Sequence, residues 1–320
     1  MSAKKKPKVV SIREHLTTSR HPFLVERIIE GCKEQGIDLD SPWPPPFKKD
    51  IPAESAQLIQ LPLWPEPTRG TPNAFLRSNL FAATDKGRSR LEKAQLKTLA
   101  GYEIKYTGTQ LTQAELAVWE LLVHLARRHP LENECMFTGN AFFKALGYKK
   151  RPGNGDYEWL DTTITRFTAC AVEVRINEHQ AYVGGLIDWY LRDDNTRVFK
   201  IKLNAGMLAL YGRGQWTQIQ WQQRLALKGK PLALWLHGFY SSHAAPYPMT
   251  TGKLRELSGS NIKDPYKFKQ SLKKALAEIE TAGVIAAWHI DPDTNMVTVE
   301  NIPTRAQTKH LVEKQVKRLN

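Results

Sequence analysis

The chain has 320 residues, and an apolar content of 41% is enough to build cores behind a solvated surface. Lys and Arg number 46 against 32 for Asp and Glu, and the net charge of +14 favours polyanionic partners, nucleic acid or an anionic membrane surface. The longest apolar runs, "ELAVWELLVHLA" and "AGVIAAWHI", are well short of the roughly 20 residues that cross a bilayer. "MSAKKKPKVVSIREH" has the charge of a signal peptide without its apolar stretch, so a cytoplasmic protein with no membrane partner is expected.

Residues 1–74 carry a lysine cluster, then "SPWPPPFKKDIPAE" and "LPLWPEPTRGTPN". Prolines at this density prevent a packed helix or a central strand, so the segment reads as an extended, largely flexible arm. One helix can interrupt it at "PFLVERIIEGCKEQG", where Phe23, Val25, Ile28 and Ile29 approach helical spacing. From residue 75 the pattern changes. "TQAELAVWELLVHLARRH" places Thr112 and Glu115 as a capping box, which predicts a helix over 113–128. "FTGNAFFKALGY" reads as a short helix, "YKKRPGNGD" as a loop, and "YEWLDTTITRFTA" as a helix with Leu160, Ile164 and Phe167 on one face. "AVEVRI", "QAYVGGLIDWYL" and "TRVFKIKL" follow as strands.

The order recurs in the second half. "KPLALWLHGFYSSH" and "TTGKLRELSG" predict helices, and "DPYKFKQSLKKALAEIETAG" a longer one with Asp264 as N-cap, Pro265 in the first turn and Gly283 as its stop. "VIAAWHI", "DPDTN" and "MVTVENI" complete a hairpin. The simplest architecture is α+β: two tandem winged-helix domains, each a helix-turn-helix plus a β-wing, over 75–204 and 205–302. The arm precedes them, and a basic helix or tail, 303–320, follows.

The long helix is the most informative element for function. Phe268, Leu272, Leu276 and Ile279 make its core face, leaving Lys267, Gln270, Lys273 and Lys274 toward the other, with Lys263 just ahead of it. Such a helix suits the DNA major groove, where Lys donates to phosphate or guanine and Gln pairs with adenine; a solvated amphipathic helix fits the same spacing. The adjoining wing could meet the sugar-phosphate backbone or the minor groove. In the first half Lys149, Lys150 and Arg151, with Arg166 on the following helix, suit either phosphate contacts or an ordinary surface loop.

Catalysis finds no support. Three scattered cysteines, Cys32, Cys135 and Cys170, suit neither a disulfide framework nor a zinc site. No H-E-x-x-H, G-x-S-x-G or P-loop occurs, and "DPDTNMVTVE" has Met296 and Ile302 where a calcium loop needs Gly and Glu. No metal, cofactor or catalytic residue is expected, and Tyr240 and Tyr247 beside His243 lack the His cluster of a nicking relaxase.

The runs "RGTPNAFLRSNLFAA", "KLNAGMLALYGRGQWTQIQWQQRLAL" and "KPLALWLHGFYSSHAAPYPM" resemble the TrfA family of plasmid replication initiators over roughly residues 55–302. The resemblance implies a bacterial origin-binding protein that recognises directly repeated iterons, helps to open an A·T-rich region and self-associates as a dimer through its first winged helix. Single-stranded A·T-rich DNA, the host initiator DnaA, the replicative helicase and the β sliding clamp are the further partners it implies. The alternative is a winged-helix transcriptional regulator without a replication role. "QLPLW", Gln60 to Trp64, is similar to the Q-L-x-L-aromatic peptide by which bacterial replication proteins grip the clamp. Gln60 would hydrogen-bond while Leu61, Leu63 and Trp64 offer apolar contacts; packing of the same leucines and tryptophan onto the first winged helix is the competing reading.

Overall fold

Trp64 begins a strap that closes the first lobe. In the computed structural model, which describes residues 40, 64–84, 86–99, 101–127, 134–175, 179–212, 214–304 and 307–308, strand β1 (Thr68–Pro72) pairs antiparallel with β11 (Trp216–Gln220). The helix expected near Phe23, together with Cys32, Gln60, Leu61, Leu63 and the tail beyond residue 308, lies outside the described residues.

After β1 come a single helical turn, α1 (Asn73–Leu76), and β2 (Phe81–Ala82). Strands β3 (Arg90–Gln95), β4 (Ile104–Thr109) and β5 (Leu111–Thr112) lead into α2 (Gln113–Ala126). The buried Glu115 carboxylate accepts the Thr112 amide at 2.8 Å, as the capping box requires. β6 (Glu134–Thr138), α3 (Gly139–Ala145) and α4 (Asn154–Ala169) follow. Then β7 (Ala171–Arg175), β8 (Ala181–Gly184), β9 (Ile187–Asp193) and β10 (Val198–Leu203) form two antiparallel sheets, ordered β3-β4-β7-β8 and β6-β10-β9. Leu160, Ile164 and Phe167 are fully buried, as their spacing predicts.

A 3-10 helix, Ala205–Tyr211, still packs into this first core, as do Ile219 and Trp221. The second core takes in Ala83 and Leu99 from the first half of the chain, resumes at Leu227 and gathers α6 (Pro231–Ser241), α7 (Thr251–Ser258) and α8 (Pro265–Thr281). Its sheet joins β12 (Met249–Thr250) to the hairpin of β13 (Ile285–Ile290) and β14 (Met296–Asn301) in the order β12-β14-β13. This repeats the first lobe's β6-β10-β9 order: the strand before the second helix flanks the hairpin's returning strand. Among the described residues no helix is long and apolar enough to cross a membrane.

Two expected boundaries move. Trp64, Ala74 and Phe75 belong to the first core, so the arm expected over 1–74 gives way to packed structure by Trp64. The second boundary shifts from 204/205 to the short helix α5 (Trp221–Ala226). There Arg224, itself buried, bridges the lobes: it meets Glu120 of α2 at 2.7 Å, donates to Gln113 at 3.1 Å and reaches the Leu234 carbonyl of α6 at 3.4 Å. Burial pushes the Glu120 carboxyl up, opposed by Arg224 and by the Thr71 hydroxyl that donates to it at 2.8 Å. A buried pair with this many partners fixes geometry more than it adds stability.

Candidate nucleic-acid interface

Helix α8 forms as the sequence dictates. Asp264 accepts the Tyr266 and Lys267 amides at 2.8 and 3.2 Å, Pro265 opens the first turn, and Gly283 at φ +71° ends the helix. Phe268, Leu272, Ala275, Leu276 and Ile279 are buried in the second core. Helical spacing then fixes the opposite stripe: Tyr266, Gln270, Lys273 or Lys274, and Ala277, at i, i+4, i+7 or i+8, and i+11, all exposed. Lys263 and Lys267 are exposed beside it, so the cations expected here share one solvent face. At the far end Lys274 and Lys230 border a shallow groove in which Lys230 meets Glu278 at 3.4 Å.

Tyr266, 71% exposed, joins the cations and Gln270 on this face, a residue the sequence reading does not name. Its four-residue step to Gln270 and seven-residue step to Lys273 were the available signal. Lys269 is also new: its ammonium donates to Asn295 at 2.7 Å and ties α8 to the turn of the β13–β14 hairpin. That turn is held by Asp291, which accepts the Asp293 and Thr294 amides and the Thr294 hydroxyl. With Asp291 and Asp293 at its tip the hairpin is poorly suited to the phosphate contact expected of it.

The first lobe differs. Lys149, Lys150 and Arg151 are exposed ahead of α4, which suits a phosphate-contacting loop and an ordinary surface loop alike. Arg166 corrects the expectation: it donates to Glu115 at 2.7 Å, alongside Arg88, and so neutralises a carboxylate that is otherwise buried. The groove between α4 and the β9–β10 hairpin is lined by Glu158, Asp161, Asp193 and Asp194 along with Arg192 and Arg197. Arg192 is already bound to Asp161 and Asp194, which leaves this groove without the free basic stripe of α8.

Trp64 is also corrected. Its indole is 4% exposed, stacked on Tyr211 at 6.0 Å and 14°, with Trp216 at 5.7 Å. The indole N–H donates to His124 Nδ1 at 3.0 Å, which leaves the proton on Nε2 to donate to Glu66 at 2.9 Å. The ring is core in this fold, not an exposed clamp handle. Hydrogen bonds donated by His124 and Arg127 hold the Glu66 carboxyl down at about 2, while burial and the charge of Arg69 lower His124 to about 4 against the hydrogen bond it donates to Glu66.

The model of the family described as TrfA protein matches residues 47–298. The chain belongs to the TrfA family. It is 25% identical over 252 residues to the plasmid replication initiator protein TrfA of Escherichia coli, covering 75% of this chain; the chain spans 64% of that relative's length. Among solved structures, RctB domains 2–3 superpose with a TM-score of 0.47 at 11% identity over 72% of this chain and 98% of that one. A Pi initiator protein in complex with iteron DNA superposes with a TM-score of 0.43 at 12% identity over 60% of this chain and 94% of that one. Within this TrfA-family chain, no group of three or more His, Cys, Asp or Glu side chains is arranged to hold a metal among the described residues.

Proposed function

We propose that this TrfA-family chain is a plasmid replication initiator that binds iteron repeats at its origin through the exposed stripe of α8. The observation that carries the reading is that stripe: a capped, rigid helix whose outward residues are Tyr266, Gln270, Lys273 and Lys274, with Lys263 and Lys267 beside them. Each lobe is read as a winged-helix domain, supported by the repeated order of helices and strands and the repeated sheet order. In this reading the four lysines neutralise phosphate or donate to guanine, and Gln270 pairs with adenine.

Neutralised phosphates supply sequence-independent affinity that falls steeply with salt, and α8 supplies the base readout. Several protomers on adjacent repeats bend the duplex, and the deformation energy favours opening of a weakly stacked A·T-rich segment. No covalent step is required. DnaA, the helicase and the β clamp enter as the partners the family resemblance implies; with Trp64 in the core, a clamp contact would rest on Gln60, Leu61 and Leu63.

Self-association is assigned to the first lobe. Across the β6-β10-β9 sheet Met136, Lys200 and Leu191 lie in register, and Glu134, Lys202 and Trp189 form the next row on the same face. Met136 is 73% and Leu191 63% exposed, and Lys200 meets Glu134 at 2.8 Å and lies over Trp189. Large apolar side chains around a paired charge suit a second copy of the same face. The test of the initiator reading is a footprint of purified protein on its plasmid's origin: evenly spaced protected repeats are expected, and uniform or absent protection would remove the reading.

A further inference from the structure

The turn that presents α8 is built partly from the first lobe. Gly259, which ends α7 at φ +61°, sits so close to the Phe81–Ala82 strand that a Cβ there would come within 2.9 Å of Asn79 and 3.0 Å of Ala82. The Ala83 amide donates to the Ser258 carbonyl at 2.7 Å. Beyond this contact, Asn261 in the turn between α7 and α8 extends its amide into the loop after β2. It donates to the Thr84 hydroxyl at 2.9 Å, the Lys86 carbonyl at 2.7 Å and the Gly87 carbonyl at 3.4 Å. Thr84 closes the loop by donating to the same Lys86 carbonyl at 2.8 Å. Gly87 adopts φ +66°, and a Cβ there would lie 3.3 Å from the Asn261 amide nitrogen.

One side chain therefore fixes the backbone of Lys86 beside the entry to α8, three residues before its N-cap. Exposed cations gather there beside the Asp264 carboxylate, which is taken up in capping α8. Lys86 and Lys263 are exposed and form no ion pair among the described residues, and Arg255 donates to the Lys263 carbonyl at 2.7 Å. Arg88, two residues beyond Lys86, is committed to Glu115 at 2.7 Å and takes no part.

We propose that Lys86, carried by the loop after β2 of the first lobe, is part of the second lobe's DNA-binding surface and donates to a backbone phosphate beside the groove that α8 enters. Asn261 is the positioning residue: it holds the Lys86 backbone and itself needs no contact with DNA. A phosphate contact carries no sequence information, so Lys86 adds affinity and register while the stripe of α8 selects the bases. The two lobes then act on DNA as one body, because the loop is covalently part of one and hydrogen-bonded to the other.

The inference rests on α8 lying on DNA, and the experiment separates the two. Affinity of the full chain for a duplex carrying one protected repeat, and for an unrelated duplex of equal length, is measured across a salt series. Lys86→Ala is expected to weaken both duplexes by the same factor, several-fold at moderate salt, and to reduce the slope of log K against log salt by about one. Lys86→Arg restores the slope, and Asn261→Ala reduces it with the loop released. Wild-type binding with an unchanged slope in Lys86→Ala overturns this inference alone. A slope lost in Lys86→Ala but kept in Asn261→Ala overturns the tether, and no binding by the wild type overturns the reading of α8 as well.

Discussion

Replacing Trp64 by alanine removes an indole that is 4% exposed and wedged among Tyr211, Trp216 and His124. Gly70 lies so near the ring that a Cβ there would stand 2.6 Å from it, which shows how closely the strap wraps the side chain. A truncation of this kind costs about 3–5 kcal/mol, transfer and cavity together. Trp64→Phe separates the contributions. It keeps most of the aromatic packing and deletes the donor to His124, leaving a buried acceptor unsatisfied at a cost of about 1–3 kcal/mol. Equilibrium urea unfolding monitored by circular dichroism reads both, provided the denaturant slope is unchanged. A loss below about 1 kcal/mol for Trp64→Ala would refute the reasoning, because a core indole cannot be removed so cheaply. The same result would return Trp64 to the role of a surface handle.

Acid should destabilise the fold before its carboxylates titrate. Burial holds His124, His237 and His243 neutral, lowering them from about 6.5 to about 4, 3 and 4, so below pH 6.5 the unfolded chain binds protons the folded chain refuses. Their stabilisation is complete above pH 6.5 and is lost as pH falls toward 4, each histidine contributing up to about 1.4 kcal/mol per pH unit. Urea midpoints should fall from pH 7 to 5, and a flat profile would contradict this. Glu66 acts in the same sense over a lower window, its contribution present above 4.5 and lost as pH falls toward 2. On the exposed sheet face, Leu191→Glu should shift a dimer to monomer in sedimentation velocity without moving the urea midpoint; an unchanged distribution would take the second copy off this face.

The sequence announces α8 fully because its signals are local: the N-cap Asp264, Pro265, the apolar spacing and Gly283 all lie within the element. Burial of the strap is not legible in the same way. β1 reads "TRGTP", with no large apolar residue, yet every position is buried, because its ladder partner β11 and the contacts of Arg69 come from distant or polar groups. Arg69 donates to the Glu66 and Thr68 carbonyls and lies over the Trp221 ring at 4.6 Å. Arg224 and Glu120 are misleading for a related reason: charged side chains read as surface until the partner that neutralises them is known. The same holds for Arg166, whose cation looks free in the sequence and is bound to Glu115 in the fold. Tyr266 could have been found from spacing alone.

The central claim is that the outward stripe of α8 holds origin DNA. The most direct measurement is a footprint on the origin at several salt concentrations, comparing the wild type with Lys267→Ala and Lys274→Ala. The account predicts regular protected repeats for the wild type and protection that requires higher protein concentration for both variants. Full protection by both variants at wild-type concentrations, at every salt tested, would contradict it.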